Sequence, residues 1–387
     1  MCEAASSSLS AAAGRRRKLL IWYWGRRGGG AQYCYEMARA LQRQGEFDLC
    51  LSLSRQSDLY DRFLELGISS LDIDTYTDIG SAMRSVMRLP RLRRAFARFL
   101  DEQGVDAVLC TMAHLWNPLF LDLIRSRNLP YVVTVHDAKL HPGEQFKPYQ
   151  RWLDHEIGRS DGVVTLSRHV RTVLCARHVL REDAVITAPL GPLLNERLHP
   201  LPLDGRPPRR LVFFGRILEY KGVDLLLDAF AALLRDFPDI TLSIHGSGNA
   251  APYADRIAAL PNITLDNRYI PENEIPAIMG KADLVVLPYR EASQSGVIAM
   301  AQSCGVPVVV TPVGGLVEQV IDGETGLVAS QVTADCLAAS IRRMIEDGAL
   351  YERCARGGVR HSASVWTEAA AEVSRLITRL SAERQRV

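Results

Sequence analysis

Short apolar runs alternate with longer stretches of helical pattern along most of this chain. In the first half, Leu19–Trp24, Phe47–Ser52, Ala107–Thr111, Tyr131–His136 and Gly162–Leu166 read as strands. Gln32–Gln44, Ser57–Leu66 and Pro118–Ser126 read as the helices between them. The pattern stops at His199–Pro208, where four prolines and a glycine fall within ten residues, the composition of a linker. It then restarts. Leu211–Phe214, Thr241–His245, Leu284–Leu287 and Val306–Val310 read as strands. Val223–Asp236, Glu272–Gly280, Val297–Gln302, Asp335–Asp347 and Thr367–Arg379 read as helices. Apolar strands that alternate with helices predict a parallel sheet covered on both faces.

The predicted organisation is therefore α/β, with two facing Rossmann-like domains and a cleft between them. Residues 1–17 are expected to form a disordered basic tail. Residues 18–197 form the first domain, 198–209 the hinge and 210–365 the second domain. Residues 366–387 are expected to form a terminal helix. In open α/β sheets, ligands bind at the carboxyl ends of strands. Two such edges facing across a hinge make a natural site.

Composition narrows the function classes. The 46 basic and 44 acidic residues leave a net charge of +2, too small for a global nucleic-acid footprint. None of the eight cysteines has the Cys-x-x-Cys spacing of a zinc or redox site, so they read as core residues in a reducing compartment. No run approaches the roughly 20 apolar residues of a membrane span. Arg15–Lys18 followed by Leu19–Trp24 superficially resembles a secretion signal, but its apolar run is short and no small-residue cleavage site follows. A first strand after a basic tail, in a cytoplasmic protein, is the expectation.

Candidate chemistry concentrates after the strands of the second half. Phe213–Gly222 carries Arg216 and Lys221 beyond a strand end, where two cations can hold a diphosphate and stabilise it as it leaves. Gly215 lies in the same loop, and Gly246, Ser247 and Gly248 follow the next strand, where glycines allow close backbone approach. Ser295, Gly296 and Val297 open a helix and are expected to offer free N–H groups to a phosphate. Glu291, just upstream, is a candidate for sugar hydroxyls.

In the first half, Gly28, Gly29 and Gly30 follow the first strand and leave room for a ligand against the backbone. Their spacing is not Gly-x-Gly-x-x-Gly, and the second strand ends in Ser52–Arg55 without an acid for a ribose, which argues against a dinucleotide site. Asp72 and Asp74 form an Asp-x-Asp element far from the other motifs and read as solvated acids at a strand end. His136, His141 and Glu144 have poor spacing for a metal site, and none is expected.

Six motifs occur in order over residues 211–328: Gly-Arg-x4-Lys-Gly, His-Gly-Ser-Gly, Ala-Asp-Leu-Val-Val-Leu-Pro-Tyr, Ser-Gly-Val, Gly-Val-Pro-Val-Val and Val-Gly-Gly. This set resembles the donor domain of the retaining GT4 (group 1) glycosyltransferases, which have the GT-B fold. The resemblance extends more weakly into the first half. It implies sugar transfer from a nucleotide diphosphate sugar, UDP- or GDP-linked, with retention and without a metal or other cofactor. It implies a glycan or lipid-linked acceptor on the first domain, and a terminal helix that crosses back to that domain. It further implies that His136 contacts the donor sugar and that Gly29 and Gly30 border the donor phosphate.

One departure stands out. Many relatives carry a second glutamate eight positions after the first, and here the corresponding position is Ala299 or Met300. That acid usually holds the nucleotide ribose. A nucleotide-sugar epimerase on the same fold, or a non-catalytic nucleotide-sugar-binding assembly protein, are the rival readings. Finally, residues 83–100 interleave Arg84, Arg88, Arg91, Arg93, Arg94 and Arg98 with apolar positions. Such a basic amphipathic helix is a candidate for contact with anionic lipid at the inner face of the membrane.

Overall fold

The computed structural model describes residues 15–76, 87–139, 147–193, 197–203 and 205–386. The expected tail therefore lies almost wholly outside the described residues, as do His141 and Glu144.

Among the described residues, thirteen strands form two parallel sheets. The first contains β1 (Lys18–Tyr23), β2 (Asp48–Ser54), β3 (Ser70–Ile73), β4 (Ala107–Cys110), β5 (Tyr131–Val135), β6 (Gly162–Thr165) and β7 (Val185–Thr187). Its order is β3-β2-β1-β4-β5-β6-β7. The second contains β8 (Arg210–Phe214), β9 (Thr241–His245), β10 (Ile263–Asp266), β11 (Leu284–Leu287), β12 (Val308–Val310) and β13 (Gly326–Val328). Its order, β10-β9-β8-β11-β12-β13, repeats that of the first six strands.

This is the doubly wound order. The direction of winding reverses between β1 and β4 and again between β8 and β11, and each reversal opens a crevice at the strand ends. The central strands are buried on both faces: Ala107–Cys110 and Leu284–Leu287 expose almost nothing. That explains why they read as continuous Val/Leu runs and not as alternating ones.

Several boundaries moved for identifiable reasons. The first helix begins at Gly29 and not Gln32, because Gly28 adopts φ 79° and its carbonyl already accepts from Ala31. The expected helix 118–126 divides into a 3-10 turn, Asn117–Leu119, and a short helix, Leu121–Arg125, on either side of the buried Phe120. Pro90 starts a helix, Leu89–Gln103, and does not kink it. The last helix runs unbroken from Gly348 to Arg384, through the boundary placed at 365/366.

That helix joins the two sheets' layers. Near its start, the Tyr351 hydroxyl donates to the Asp283 carbonyl at 2.9 Å. Further on, Trp366 Nε1 donates to the Pro192 carbonyl at 2.8 Å and its ring packs 5.6 Å from Tyr33. Ser374 Oγ then donates to Gln44 Oε1 at 2.8 Å.

Candidate functional site

The loops at the two reversals face each other across a cleft of about 350 Å³. From the first domain it is lined by Gly28, Gly29, Gln32, Asp137 and Leu193. From the second come the loops after β8, β9 and β11, with Arg216, Lys221, Ser247, Tyr289 and Gly296 among their contributions.

The β8 and β9 loops are nested by glycine. Gly215 N–H donates to the His245 carbonyl and Ile217 N–H to that of Ser247, both at 2.9 Å. Gly246 has φ 143°, and a Cβ there would lie 1.9 Å from the Gly215 oxygen. A Cβ on Gly248 would lie 2.1 Å from the Ile217 oxygen. Only glycine permits this approach.

Lys221 is the last residue of a 3-10 turn, and the left-handed Gly222 (φ 67°) follows as cap of the helix Val223–Leu233. Its ammonium lies 3.7 Å from the centroid of the Tyr289 ring, a cation–π contact that fixes the charge at the cleft wall. Tyr289 is itself buried, which pushes its phenol well above the ordinary range and keeps it neutral; its hydroxyl bonds with Ser295. The β11 loop is pinned from outside, where Arg290 bonds both Asp224 carboxylate oxygens and its N–H meets the Tyr220 carbonyl at 2.7 Å.

At the opening of the helix Gly296–Ser303, the expected free N–H of Ser295 is already taken: it donates to Gln319 Oε1 at 2.7 Å. Gly296 and Val297 remain, in the first turn without intrahelical acceptors. Both line the cleft, so an anion can still be held at this helix start.

Four expected site residues lie outside the cleft lining. His136 turns its Nε2 to the Thr111 carbonyl at 2.9 Å and packs edge-on to Tyr33 at 4.9 Å. Because a carbonyl only accepts, Nε2 carries the proton; burial depresses the ring's pKa and keeps it neutral. Gly30 serves packing, since a Cβ there would lie 2.2 Å from Met112 Sδ. Gly248 serves the loop nesting described above. Glu291 is half-buried on the β11 loop, between the wall residues Tyr289 and Gln294.

The cleft also has members that the sequence did not nominate. Gln32 Nε2 donates to Glu272 Oε1 at 2.6 Å, across the two domains. Burial raises the Glu272 carboxyl, and the Gln32 bond opposes that rise. Asp58 accepts from the Gly28 N–H and from the Tyr269 hydroxyl, closing the same lip. Of the two positions considered for the missing second acid, Met300 lines the cleft and Ala299 does not. The expected solvated Asp-x-Asp is partly engaged: Asp72 accepts from the Tyr60 hydroxyl at 2.9 Å, and Asp74 lies 3.5 Å from Arg55. Among the described residues, no three His, Cys, Asp or Glu side chains converge as a metal site.

Two family models match this architecture domain by domain. Residues 27–192 match Glycosyltransferase Family 4, and residues 208–347 match Glycosyl transferases group 1. The chain belongs to the group 1, GT4 glycosyltransferase family. It is thus a transferase with the GT-B fold, and the cleft lies where the two matched regions face each other.

Its relatives include the 2-deoxystreptamine glucosyltransferase of Streptomyces kanamyceticus, 28% identical over 67% of this chain and 71% of that protein. They also include the D-inositol 3-phosphate glycosyltransferase of Salinispora arenicola, 29% identical over 60% of each chain. Among solved structures, the Anabaena protein HepE in complex with UDP superposes with a TM-score of 0.72 at 18% identity, covering 94% of this chain and 100% of that one. The likeness at that identity is one of fold.

Proposed function

We propose that this glycosyltransferase moves a sugar from a nucleoside diphosphate sugar, UDP- or GDP-linked, to a glycan or lipid-linked acceptor, with retention at the anomeric carbon. The observation that carries the reading is the convergence in one cleft of Arg216, Lys221 and the helix start at Gly296–Val297, opposite Gly28–Gly29. Two cations and a pair of backbone N–H groups suit a diphosphate, whose charge grows as the sugar departs. Arg216 and Lys221 stabilise the leaving diphosphate, and no metal is needed for that charge. Gly296 and Val297 hold a phosphate, and Asp137 and Gln294 border the sugar. His136 positions the Thr111 turn from behind the wall. Glu291 is not part of the wall in this conformation. HepE, similar in fold, is seen with UDP, which supports this donor class.

The decisive assay incubates the full chain with UDP-glucose and GDP-mannose, with and without acceptor, and reads nucleotide release and product configuration by NMR. Acceptor-dependent release with an α-linked product supports the reading. Release of isomerised sugar without acceptor replaces it with an epimerase. Met300, apolar in the cleft wall, favours one other reading, a non-catalytic binder; nucleotide binding without turnover on any acceptor would select it.

We also propose a cytoplasmic protein that docks on the inner membrane face. No described helix is long and apolar enough to cross a membrane. Helix Leu89–Gln103 buries Phe96, Phe99 and Leu100 and exposes Arg91, Arg94 and Arg98, with Met87 exposed just before it. Residues 83–86 lie outside the described residues. Co-sedimentation with phosphatidylglycerol vesicles that persists after Arg91, Arg94 and Arg98 are replaced by glutamine contradicts this docking.

A further inference from the structure

Glu318 and Gln319 are neighbours in a short helix, Leu316–Gln319, yet they grip different domains. Gln319 clasps the cap of the cleft helix. Its Oε1 accepts from the Ser295 N–H at 2.7 Å, and its Nε2 donates to the Ser295 carbonyl at 3.1 Å. Its backbone carbonyl also accepts from Gln302 Nε2 at 2.9 Å, so the cleft helix is held at both ends.

Glu318 reaches the other way. Its two carboxylate oxygens accept from the N–H groups of Arg168 and His169, each at 2.7 Å. These open the helix Arg168–Arg177 of the first domain, whose positive dipole end favours a carboxylate. Beside it, the helix cap Ser167 donates through Oγ to the Ser293 carbonyl at 2.8 Å while accepting from the Val170 N–H at 3.1 Å. The turn before Glu318 is pressed onto the same loop: a Cβ on Gly314 would lie 1.8 Å from the Ala292 oxygen, and one on Gly315 2.0 Å from that of Ser293.

We propose that Glu318 and Gln319 form a latch that makes the shape of the anion seat at Gly296–Val297 depend on contact between the domains. Both are positioning residues. When the domains part, the Glu318 carboxylate, only 17% exposed, loses both backbone donors and the Arg168 Nε contact at 3.4 Å. Water replaces those donors, and the short helix loses the bonds that fix its position against the first domain. Gln319, one residue on, moves with it and releases the Ser295 peptide. Closure and an ordered seat therefore occur together, and by linkage each favours the other. What the coupling serves rests on the donor-site reading above; the coupling itself does not.

The test is hydrogen–deuterium exchange on the full chain without ligand, comparing wild type with Glu318→Gln, Glu318→Ala and Gln319→Leu. Glu318→Gln is near-isosteric and keeps the fold while losing one acceptor. Each variant is expected to speed exchange about tenfold at both 168–170 and 295–298. Amides of β8 and β11 should be unchanged and serve as the folding control. Faster exchange at only the segment each side chain touches overturns the latch.

A second arm titrates UDP. Each single variant is expected to weaken binding about tenfold, and the double variant Glu318→Gln, Gln319→Leu by less than the product of the two. Strict multiplication overturns the coupling. A wild type that binds none of UDP, GDP and ADP defeats the donor reading and leaves the exchange result standing.

Discussion

At the scale of single residues, the cleft brings two cations, Arg216 and Lys221, to one wall. Lys221 keeps its ammonium against the Tyr289 ring, a contact of roughly 0.5–1 kcal/mol at such sites. Lys221→Ala should therefore cost little stability but lower kcat by about 10²–10³-fold, the usual effect of removing one stabiliser of developing charge. Initial rates alongside thermal melting check this. A folded variant with near-normal turnover removes Lys221 from the mechanism. Glu156 offers a contrast far from the cleft. It is fully buried, accepts from Asn117 Nδ2 at 2.9 Å and from the Tyr131 hydroxyl, and burial raises its pKa to about 7. An acid raised above its unfolded value binds its proton more tightly in the fold. Its contribution is thus fully present below the unfolded value near 4.5 and lost as pH rises through about 7. Glu156→Gln should match wild type at pH 4 and exceed it at pH 8 by roughly 3 kcal/mol, read from urea unfolding. Equal stability at both values means that the carboxyl ionises as freely as in water.

At the scale of elements, glycines in the site loops serve different ends, and substitution should sort them. At Gly246 an added Cβ meets the Gly215 oxygen at 1.9 Å, whereas at Gly28 nothing lies within 4 Å and only φ 79° opposes a side chain. Gly28→Ala should cost about 1–3 kcal/mol, the penalty for a side chain at φ 79° and ψ -159°, a region that is essentially glycine's alone. Gly246→Ala should cost more and also displace the β8 loop, weakening nucleotide binding. Urea titration and nucleotide titration of both variants test the order; equal costs contradict it. The same scale explains what could be read from the chain. Buried central strands such as Leu284–Leu287 announce themselves as apolar runs, and the glycine loops after them carry the family motifs. Edge strands did not. β7 and β13 have three residues each, and Ile263–Asp266 in β10 is partly exposed, so none forms a clear run. The helix at Asn117–Arg125 divides at Phe120 because that ring is drawn into a core with Trp22 and Trp24, a tertiary effect with no local signal.

At the scale of the whole molecule, the site belongs to neither domain alone. Gln32 meets Glu272 and Glu318 meets Arg168, contacts between residues 240 and 150 positions apart. No spacing rule connects such residues, so Gln32, Glu272 and Gln319 stayed hidden while Arg216, Lys221 and the Ser295–Val297 segment, set at strand ends and a helix start, were legible. Sequence also nominated His136 for the sugar, and only the fold shows its Nε2 turned into the backbone. The terminal helix ties the halves through Trp366, whose ring packs on Gly191 and whose Nε1 bonds Pro192. Trp366→Ala should cost about 3–5 kcal/mol, as for other buried aromatics. Calorimetry should then resolve separate melting of the two domains; a single unshifted transition would show that the helix adds little to their union.

The most direct test of a diphosphate-binding cleft is the melting temperature of the full chain against UDP, GDP and ADP, with and without EDTA. A ligand of the folded state must raise it, by about 2.7 kcal/mol of stabilisation at one hundred times Kd. One nucleotide is expected to raise it equally with and without chelator, and Lys221→Ala should reduce the shift. A wild type that responds to none of the three, at any concentration up to millimolar, contradicts a nucleoside diphosphate site in this cleft.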